Sequence, residues 1–440
     1  MSPHLLFDGG KMFYLNKKMK EFGTIRVSIV GLGLMGGSLL DQLLRLEGFR
    51  PTIVAARDKN RIIKKLESLN ISENDYVFTD DIVEAISAYE RNLLVATTNI
   101  ELSTMRIFAD CVCDATGSVE LGCDITVKAL NNKVHVVSLN VEMDATVGPI
   151  LNKIAKDNNV VYSGSYGDEP GSIIELYEFA KFSGFEVLHL GKGKNNKLNN
   201  YATNEMLRDE AISKGLSPRM LTSFVDGTNT MIELNAVCNA TGFKPDVDGC
   251  HFIESSPKDL VDNFKLKEDG GVFNKTGTVD FVKGIHPGVF AIVKPCSEIM
   301  NYEMKFLQMG EGPNYSIYRP YHLTSIETPI SIAKAVVLEE SSIAPIEGAP
   351  FAETVAVAKR DIKKGEKIEG IGSDMIFGTL VDVDKSRSED LVPIGLITEK
   401  TIAKEDIKKG VLICYNMIEL DYNSSVIKLK SLQNNLTKEL

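Results

Sequence analysis

The sequence predicts an α/β protein of more than one domain. From Ile25 onward strand-like apolar runs alternate with helical segments, a glycine turn joins the first strand to the first helix, and 440 residues exceed what one hydrophobic core serves. The bulk numbers agree with this. With 43% hydrophobic and 25% charged residues the chain has the composition of an ordinary globular protein. A net charge of -11 argues against generic nucleic-acid binding, which needs a basic face, and confines any anionic substrate to a locally basic pocket. No apolar run approaches the roughly 18 to 20 residues of a membrane helix, and the extension 1–23 lacks a signal-peptide core, so no membrane partner and a cytoplasmic location are expected. Of the seven cysteines only Cys111 and Cys113 are close together, which fits neither a disulfide framework nor a C-x-x-C site.

The elements follow in order. TIRVSIVGLGLMGGSLLDQLLRL is a β-branched strand, a glycine turn and a helix; Thr52 to Asp58, NLLVATT, CVCDATG and KVHVVSLN are further strands. Strands alternating with helices imply a parallel sheet with right-handed crossovers, so residues 24–150 form a nucleotide-binding domain. A second α/β domain, 151–342, runs strand, loop, helix, strand, loop through VVYSGSYGDEPGSIIELYEFAKFSGFEVLHLGKGKNN, and MLTSFVDGTNTMIELNAVCNATG reads as a long strand or a helix pair. Past the proline-containing linker IAPIEGAPFAE lies a small β module, 350–420. Within it AKRDIKKGEKI (Ala358 to Ile368) recurs as AKEDIKKGVLI (Ala403 to Ile413), each copy giving a strand, a glycine-closed turn and a strand. Residues 421–440 read as a short helix with a frayed tail.

The glycine turn carries the cofactor signal. In G-L-G-L-M-G, Gly31 permits the tight turn, Gly33 lets the backbone approach a pyrophosphate, and Gly36 lets helix and strand pack, with Leu34 and Met35 opening the helix. The second strand ends Ala55, Ala56, Arg57, Asp58, with alanine where an NAD site usually places its ribose-binding acid. Arg57 follows, as a 2′-phosphate requires. NADP(H) is the expected cofactor, with Asp58 turned aside as a helix cap; the competing reading has Asp58 on the ribose and NAD bound. Thr116 and Gly117 in DATGSVELG border the nicotinamide edge of such a Rossmann domain. Asn140, Glu142 and Asp144 are expected at the carboxyl end of the next parallel strand, where open α/β sheets hold ligands. Asp144 taken alone is a solvent-facing acid.

Four groups in the second domain point to reduction of a carbonyl. Lys192 and Lys194, read as a loop leaving a strand, suit the oxygen that hydride attack turns into an alkoxide. Asn195 and Asn196 suit a hydroxylated substrate. Asp168 and Glu169 are either helix-capping acids or ligands for a hard cation such as Mg²⁺ or Mn²⁺. Arg319 and His322 in RPYH suit a substrate phosphate or carboxylate, whereas His286 is read as preceding a turn proline.

SLNVEMDATVGP, YGDEPGSIIELYEF, GKGKNN, TGFKPD, PGVFAIVK and GPNYSIYRPYHLTS, in this order and ahead of the repeated β module, resemble the deoxyxylulose-phosphate reductoisomerase-like (DRL-type) oxidoreductases. The resemblance covers nearly the whole chain after Gly23. It implies an NADP-binding domain, a catalytic α/β domain and a C-terminal SAF (β-clip) domain, which the repeat itself also resembles. It further implies a small anionic carbonyl substrate, deoxyxylulose phosphate being the named candidate in isoprenoid precursor synthesis. A more distant similarity is to homoserine dehydrogenases, whose insert forms a dimer through its sheet, so a homodimer is expected here. Val141 replaces their lysine and Gly191 to Asn196 replaces their NGTTN loop, so homoserine is not the expected substrate. A simple sugar-phosphate or hydroxy-acid dehydrogenase and a nucleotide-sensing scaffold remain open readings. A sensor would need only the cofactor half, and the acid, lysine and arginine set goes beyond that.

Overall fold

The computed structural model describes residues 14–347 and 350–436. The first part of the chain runs α1 (Tyr14–Phe22), β1 (Ile25–Val30), α2 (Leu34–Leu43), β2 (Phe49–Ala55), α3 (Lys59–Ser68), β3 (Tyr76–Phe78), α4 (Ile82–Glu90), β4 (Leu94–Thr97), α5 (Ile100–Ser103), β5 (Cys111–Asp114), α6 (Val119–Asn131), β6 (His135–Ser138), α7 (Val141–Asp157) and β7 (Tyr162–Gly164). It continues with α8 (Glu169–Phe182), β8 (Phe185–Lys194), α9 (Arg208–Ser213), α10 (Pro218–Val225), α11 (Thr228–Thr241), β9 (Lys244–Pro245), β10 (Ile253–Glu254), α12 (Leu260–Asn263), β11 (Thr278–Lys283), β12 (Val289–Pro295), α13 (Glu298–Phe306), β13 (Tyr315–Arg319) and α14 (Thr324–Ala333). The remainder is β14 (Ala352–Ala358), β15 (Ile376–Asp382), α15 (Val383–Ser388), β16 (Ile402–Ala403), β17 (Ile418–Glu419) and α16 (Ser425–Leu436).

The chain divides into two compact units. The first comprises Met1–Asp144, Ile150–Asp168 and Leu323–Ala344, and the second the rest. In the first, seven parallel strands run in the order β3-β4-β2-β1-β5-β6-β7, a Rossmann-like sheet. Residues 151–168 and 323–342, assigned by sequence to the second domain, group here because β7 extends the sheet beyond β6 and α14 packs on α2, where Gln42 donates to the Ile326 carbonyl (2.8 Å). Residues 1–13 of the expected N-terminal extension lie outside the described part. Tyr14–Phe22 is helical, and its Met19 packs into the core of this unit.

In the second unit the sheet order is β10-β11-β8-β12-β13, with β9 also beside β11. β8 is central, parallel to β11 and antiparallel to β12. α8 and α11 cover one face, while Leu260, Phe264, Phe273 and Ile285 pack on the other. The segment left open by sequence is therefore a helix pair, α10 and α11, which buries nearly all of α11.

The repeat closes on itself about a pseudo-two-fold axis. Ile362 and Ile407 exchange both backbone hydrogen bonds at 2.8 Å, Gly365 N–H donates to Ala403 as Gly410 N–H donates to Ala358, and Val357 bridges Leu412 as Lys367 bridges Ile402. Asp361 accepts from the Lys408 ammonium and the Lys409 backbone; Asp406 does the same with Lys363 and Lys364. Each repeat thus caps the other's turn, which is why both copies keep D-I-K-K-G. This module groups with the second unit: Lys359 pairs with Asp226 at 2.7 Å, and Gly378 N–H donates to Thr228. α16 forms as expected; residues 437–440, the expected frayed tail, lie outside the described part.

A Cβ on Gly36 would lie 1.9 Å from the Gly31 carbonyl oxygen, a backbone atom with nowhere to go. Gly36→Ala should therefore lower the urea-unfolding free energy by about 1–3 kcal/mol, the usual cost of forced overpacking. Unchanged stability would show that the strand-to-helix turn relaxes freely.

Candidate active site

β8 answers what the run G-K-G-K is for. Lys192 and Lys194 are not in a loop: the strand continues through Lys194, and both side chains are buried. Alternation places the two glycines on one face and the two lysines on the other. The glycine face has no room, since a Cβ on Gly191 would meet the Phe290 ring at 2.4 Å and one on Gly193 the His286 backbone nitrogen at 2.5 Å. The lysine face looks toward the starts of two helices.

Lys192 donates to Glu169 at the head of α8 (2.8 Å) and to Glu233 on α11. Glu233 also accepts from Asn229 one turn earlier (2.5 Å), and His322 Nε2 lies 3.3 Å from Glu169. Burial opposes charge on Lys192, but the two carboxylates more than offset it and raise its pKa. One ammonium cannot neutralise two buried carboxylates. Burial, then the charge of Glu169, accordingly raises Glu233 to about 7. Lys194 differs from its neighbour: its ammonium donates to the Phe224 carbonyl (2.5 Å), and burial, then the like charge of Lys192, lowers its pKa to about 8. Lys192 is a fixed charge and Lys194 a group able to release a proton near neutrality.

Asp168, Glu169 and His322 each offer a ligand atom, all within 4.8 Å of one another. Asp168 is bonded directly to Glu169, so the trio is local to the start of α8. His322 Nδ1 is buried with no hydrogen-bond partner among the described residues, and two carboxylates with an imidazole are a donor set that suits a divalent cation.

Other expected residues are placed differently. Arg319 is half-turned from the ligand role: its guanidinium donates to Glu175 (2.6 Å) and Ser172 (3.2 Å) on α8 and stacks over Tyr321. Asn195 is exposed and Asn196 half-buried just beyond β8. In the first unit Asn140 is fully buried and its amide is committed within the protein, accepting from Met143 N–H and donating to Asp114 (3.1 Å) and the Ser118 carbonyl (3.0 Å). These bonds tie the head of α7 to the end of β5 and the start of α6. Thr116 donates to the same Asp114 (2.7 Å), and Gly117 is exposed with φ +61°. Glu142 and Asp144 do not end a strand; they lie in the first turn of α7, and Asp144 is buried, accepting from Tyr162 (2.9 Å). Burial holds its carboxyl up at about 6.

The glycine turn keeps its expected geometry. Gly31 has φ +96°, Gly33 has open space around it at the head of α2, and Leu34 and Met35 are exposed there. Asp58 caps α3, accepting from Asn60 (2.8 Å) and Arg61 (3.1 Å), which leaves Arg57 exposed at the strand end.

Residues 167–328 match the family of oxidoreductase DRL catalytic domains. The matched segment contains Asp168, Glu169, Lys192, Lys194, Glu233, His286, Arg319 and His322. No curated protein matches the chain. Similar solved structures include an amine dehydrogenase from Mycobacterium smegmatis (13% identical, 71% of this chain and 91% of that one, TM-score 0.40). A probable dehydrogenase from Thermotoga maritima is 13% identical over 62% of this chain and 73% of that one, with TM-score 0.36. The 1-deoxy-D-xylulose 5-phosphate reductoisomerase from Zymomonas mobilis, solved with NADPH, is 16% identical over 48% of this chain and 56% of that one, with TM-score 0.34. These are distant likenesses. No described helix is long and apolar enough to cross a membrane.

Two members of this cluster were not legible as such in the sequence. Glu233 had a signal, being the single charge in the otherwise uncharged helix Thr228–Thr241. His286 was set aside as a turn residue, yet its charge interacts with Glu169, His322, Lys192 and Lys194, and partial burial followed by the neighbouring cations lowers its pKa despite Glu169.

Because Lys192 is buried between two acids, its removal should destabilise the fold. Lys192→Met is expected to cost about 3–5 kcal/mol at pH 8, the scale for breaking a buried ion pair. The loss should shrink at pH 6, where Glu233 binds a proton and less negative charge is stranded. Urea titrations at the two pH values decide this; a small, pH-independent loss would mean the acids need no counter-charge.

Proposed function

We propose that the protein is an NADPH-dependent oxidoreductase that reduces the carbonyl of a small, hydroxylated and anionic compound. The observation that carries this is the unequal lysine pair on β8, one ammonium fixed between carboxylates and one with its pKa lowered to about 8, inside the DRL catalytic segment. The open head of α2 and the exposed Arg57 support a cofactor with a 2′-phosphate, which when bound supplies hydride. As hydride adds to the carbonyl carbon, the oxygen takes a proton from Lys194, whose neutral amine is then reprotonated from water. Lys192 holds Glu169 and Glu233 and keeps positive potential beside the developing alkoxide. Asp168, Glu169 and His322 would hold a divalent cation, which when bound polarises vicinal oxygens.

Within this class the finer reading is 1-deoxy-D-xylulose 5-phosphate as substrate, as in DRL-type enzymes, with the repeated module as their SAF domain. A second reading, reduction of an unphosphorylated hydroxy-carbonyl compound, is favoured by Arg319, whose guanidinium is already held by Glu175. NADPH oxidation measured with deoxyxylulose phosphate and with its unphosphorylated counterpart, each with and without Mg²⁺ or Mn²⁺, separates the two. No oxidation with any carbonyl compound would remove the oxidoreductase reading.

Lys194→Met should lower turnover by about 10² or more, the scale of one lost acid or electrostatic group. In the wild type kcat/KM for reduction should fall as pH rises through about 8, the pH at which Lys194 loses its proton. Lys194→Arg should move that fall upward. A rate that stays flat from pH 7 to pH 9.5 would place the acid elsewhere, with His322 next.

Arg57→Ala should weaken NADPH binding about tenfold or more and leave NADH binding unchanged, since only the 2′-phosphate is lost as a partner. Fluorescence titration reads this directly. Equal weakening for both cofactors would make Arg57 structural.

A further inference from the structure

Helix α13 turns large apolar side chains to solvent. Its inner residues Met300 and Met304 pack on the core of the second unit, but Ile299 is 81%, Tyr302 71% and Phe306 74% exposed. At 3.6 residues per turn these three fall within about 60° of one another around the axis, a single stripe. Leu307 and Met309, just past the helix, are exposed as well. The helix also meets the end of α8: a Cβ on Gly184 would lie 3.5 Å from Cys296 Sγ just ahead of α13, and Phe182 is 97% exposed. Scattered exposed apolar residues are ordinary, but three on one stripe of a helix mark a contact surface.

We propose that this face joins two copies of the chain, α13 packing antiparallel on α13 of a second copy about a two-fold axis. The stripe is complementary to itself, because with Tyr302 near the axis Ile299 of each copy meets Phe306 of the other. Charge selects the same arrangement. Glu298 and Lys305 lie about two turns apart on the same flank of the stripe, and neither side chain has an ion-pair partner among the described residues. A two-fold rotation that sets the helices antiparallel keeps this flank on one side and reverses its order. Each Glu298 then faces Lys305 of the other copy, twice per dimer. Both faces of the sheet are covered within a single chain, by α8 and α11 on one side and the Phe264–Phe273 cluster on the other.

Sedimentation equilibrium of the full chain across a concentration series tests this. The wild type should weigh twice 48.4 kDa and dissociate toward 48.4 kDa on dilution. Phe306→Glu should raise the dimer dissociation constant at least about tenfold, and so should Glu298→Lys or Lys305→Glu alone, each setting like charges against each other. The double exchange Glu298→Lys with Lys305→Glu should return it to within about threefold of the wild type. All three substitutions sit on an exposed helix face, and the four variants should keep the wild-type circular dichroism spectrum. A wild type that is monomeric throughout, a dimer indifferent to Phe306→Glu, or a double exchange no tighter than the single ones would each overturn the proposal.

Discussion

The second unit is organised by one buried ammonium. Lys192 stands on the central strand of a sheet, in register with Phe281 and Val289, where an uncompensated charge would cost several kcal/mol. Glu169 from α8 and Glu233 from α11 supply the compensation, so the head of α8 and the second turn of α11 are tied to the carboxyl end of one strand. His322 reaches the same Glu169, which brings in the chain beyond β13. The reverse face of the strand must be glycine at Gly191 and Gly193 because Phe290 and the 285–286 backbone press against it. A two-letter repeat thus meets two demands, close packing behind and charge in front.

From that arrangement comes a division of labour between chemically identical side chains. Lys192 sits between opposite charges and keeps its proton; Lys194, two residues on, is buried beside a like charge and holds its proton weakly. Neither property belongs to lysine as such. The same logic distinguishes the carboxyls, for Glu233, the second acid on one cation, is pushed toward the neutral form. An isolated substitution in this cluster therefore redistributes protons among the remaining members, and single-residue effects will not add.

The C-terminal module shows how a short repeat can specify its own closure. Asp361 and Asp406 each bind the lysine ammonium and a backbone N–H of the opposite copy, so the two turns stabilise one another reciprocally. The module is also fastened to the rest of its unit by buried charge, Lys359 to Asp226 and Lys430 to Glu353. These contacts explain why it clusters with the catalytic segment although a proline-containing linker precedes it.

By itself the sequence determined whatever depends on local pattern. Alternating strands and helices established the parallel sheet, the glycine spacing established the strand-to-helix turn, the position of Asp58 made it a cap, and the duplicated D-I-K-K-G established the internal symmetry. It also brought attention to Lys192 and Lys194 as cations leaving an apolar strand, to Glu169 as one of two acids at a helix start, and to His322 as the neighbour of Arg319. Tertiary structure alone decided how far β8 extends, since only contact with Phe290 reveals that G-K-G-K is a buried strand and not a surface turn. It alone decided that Asn140 is committed within the protein and that Asp144 is buried, because both depend on groups distant in the chain, Asp114 and Tyr162. It alone separated the two lysines. A pKa is set by the solvent and charges around a group, and the carboxylates that surround Lys192 come from 23 and 41 residues away in the chain.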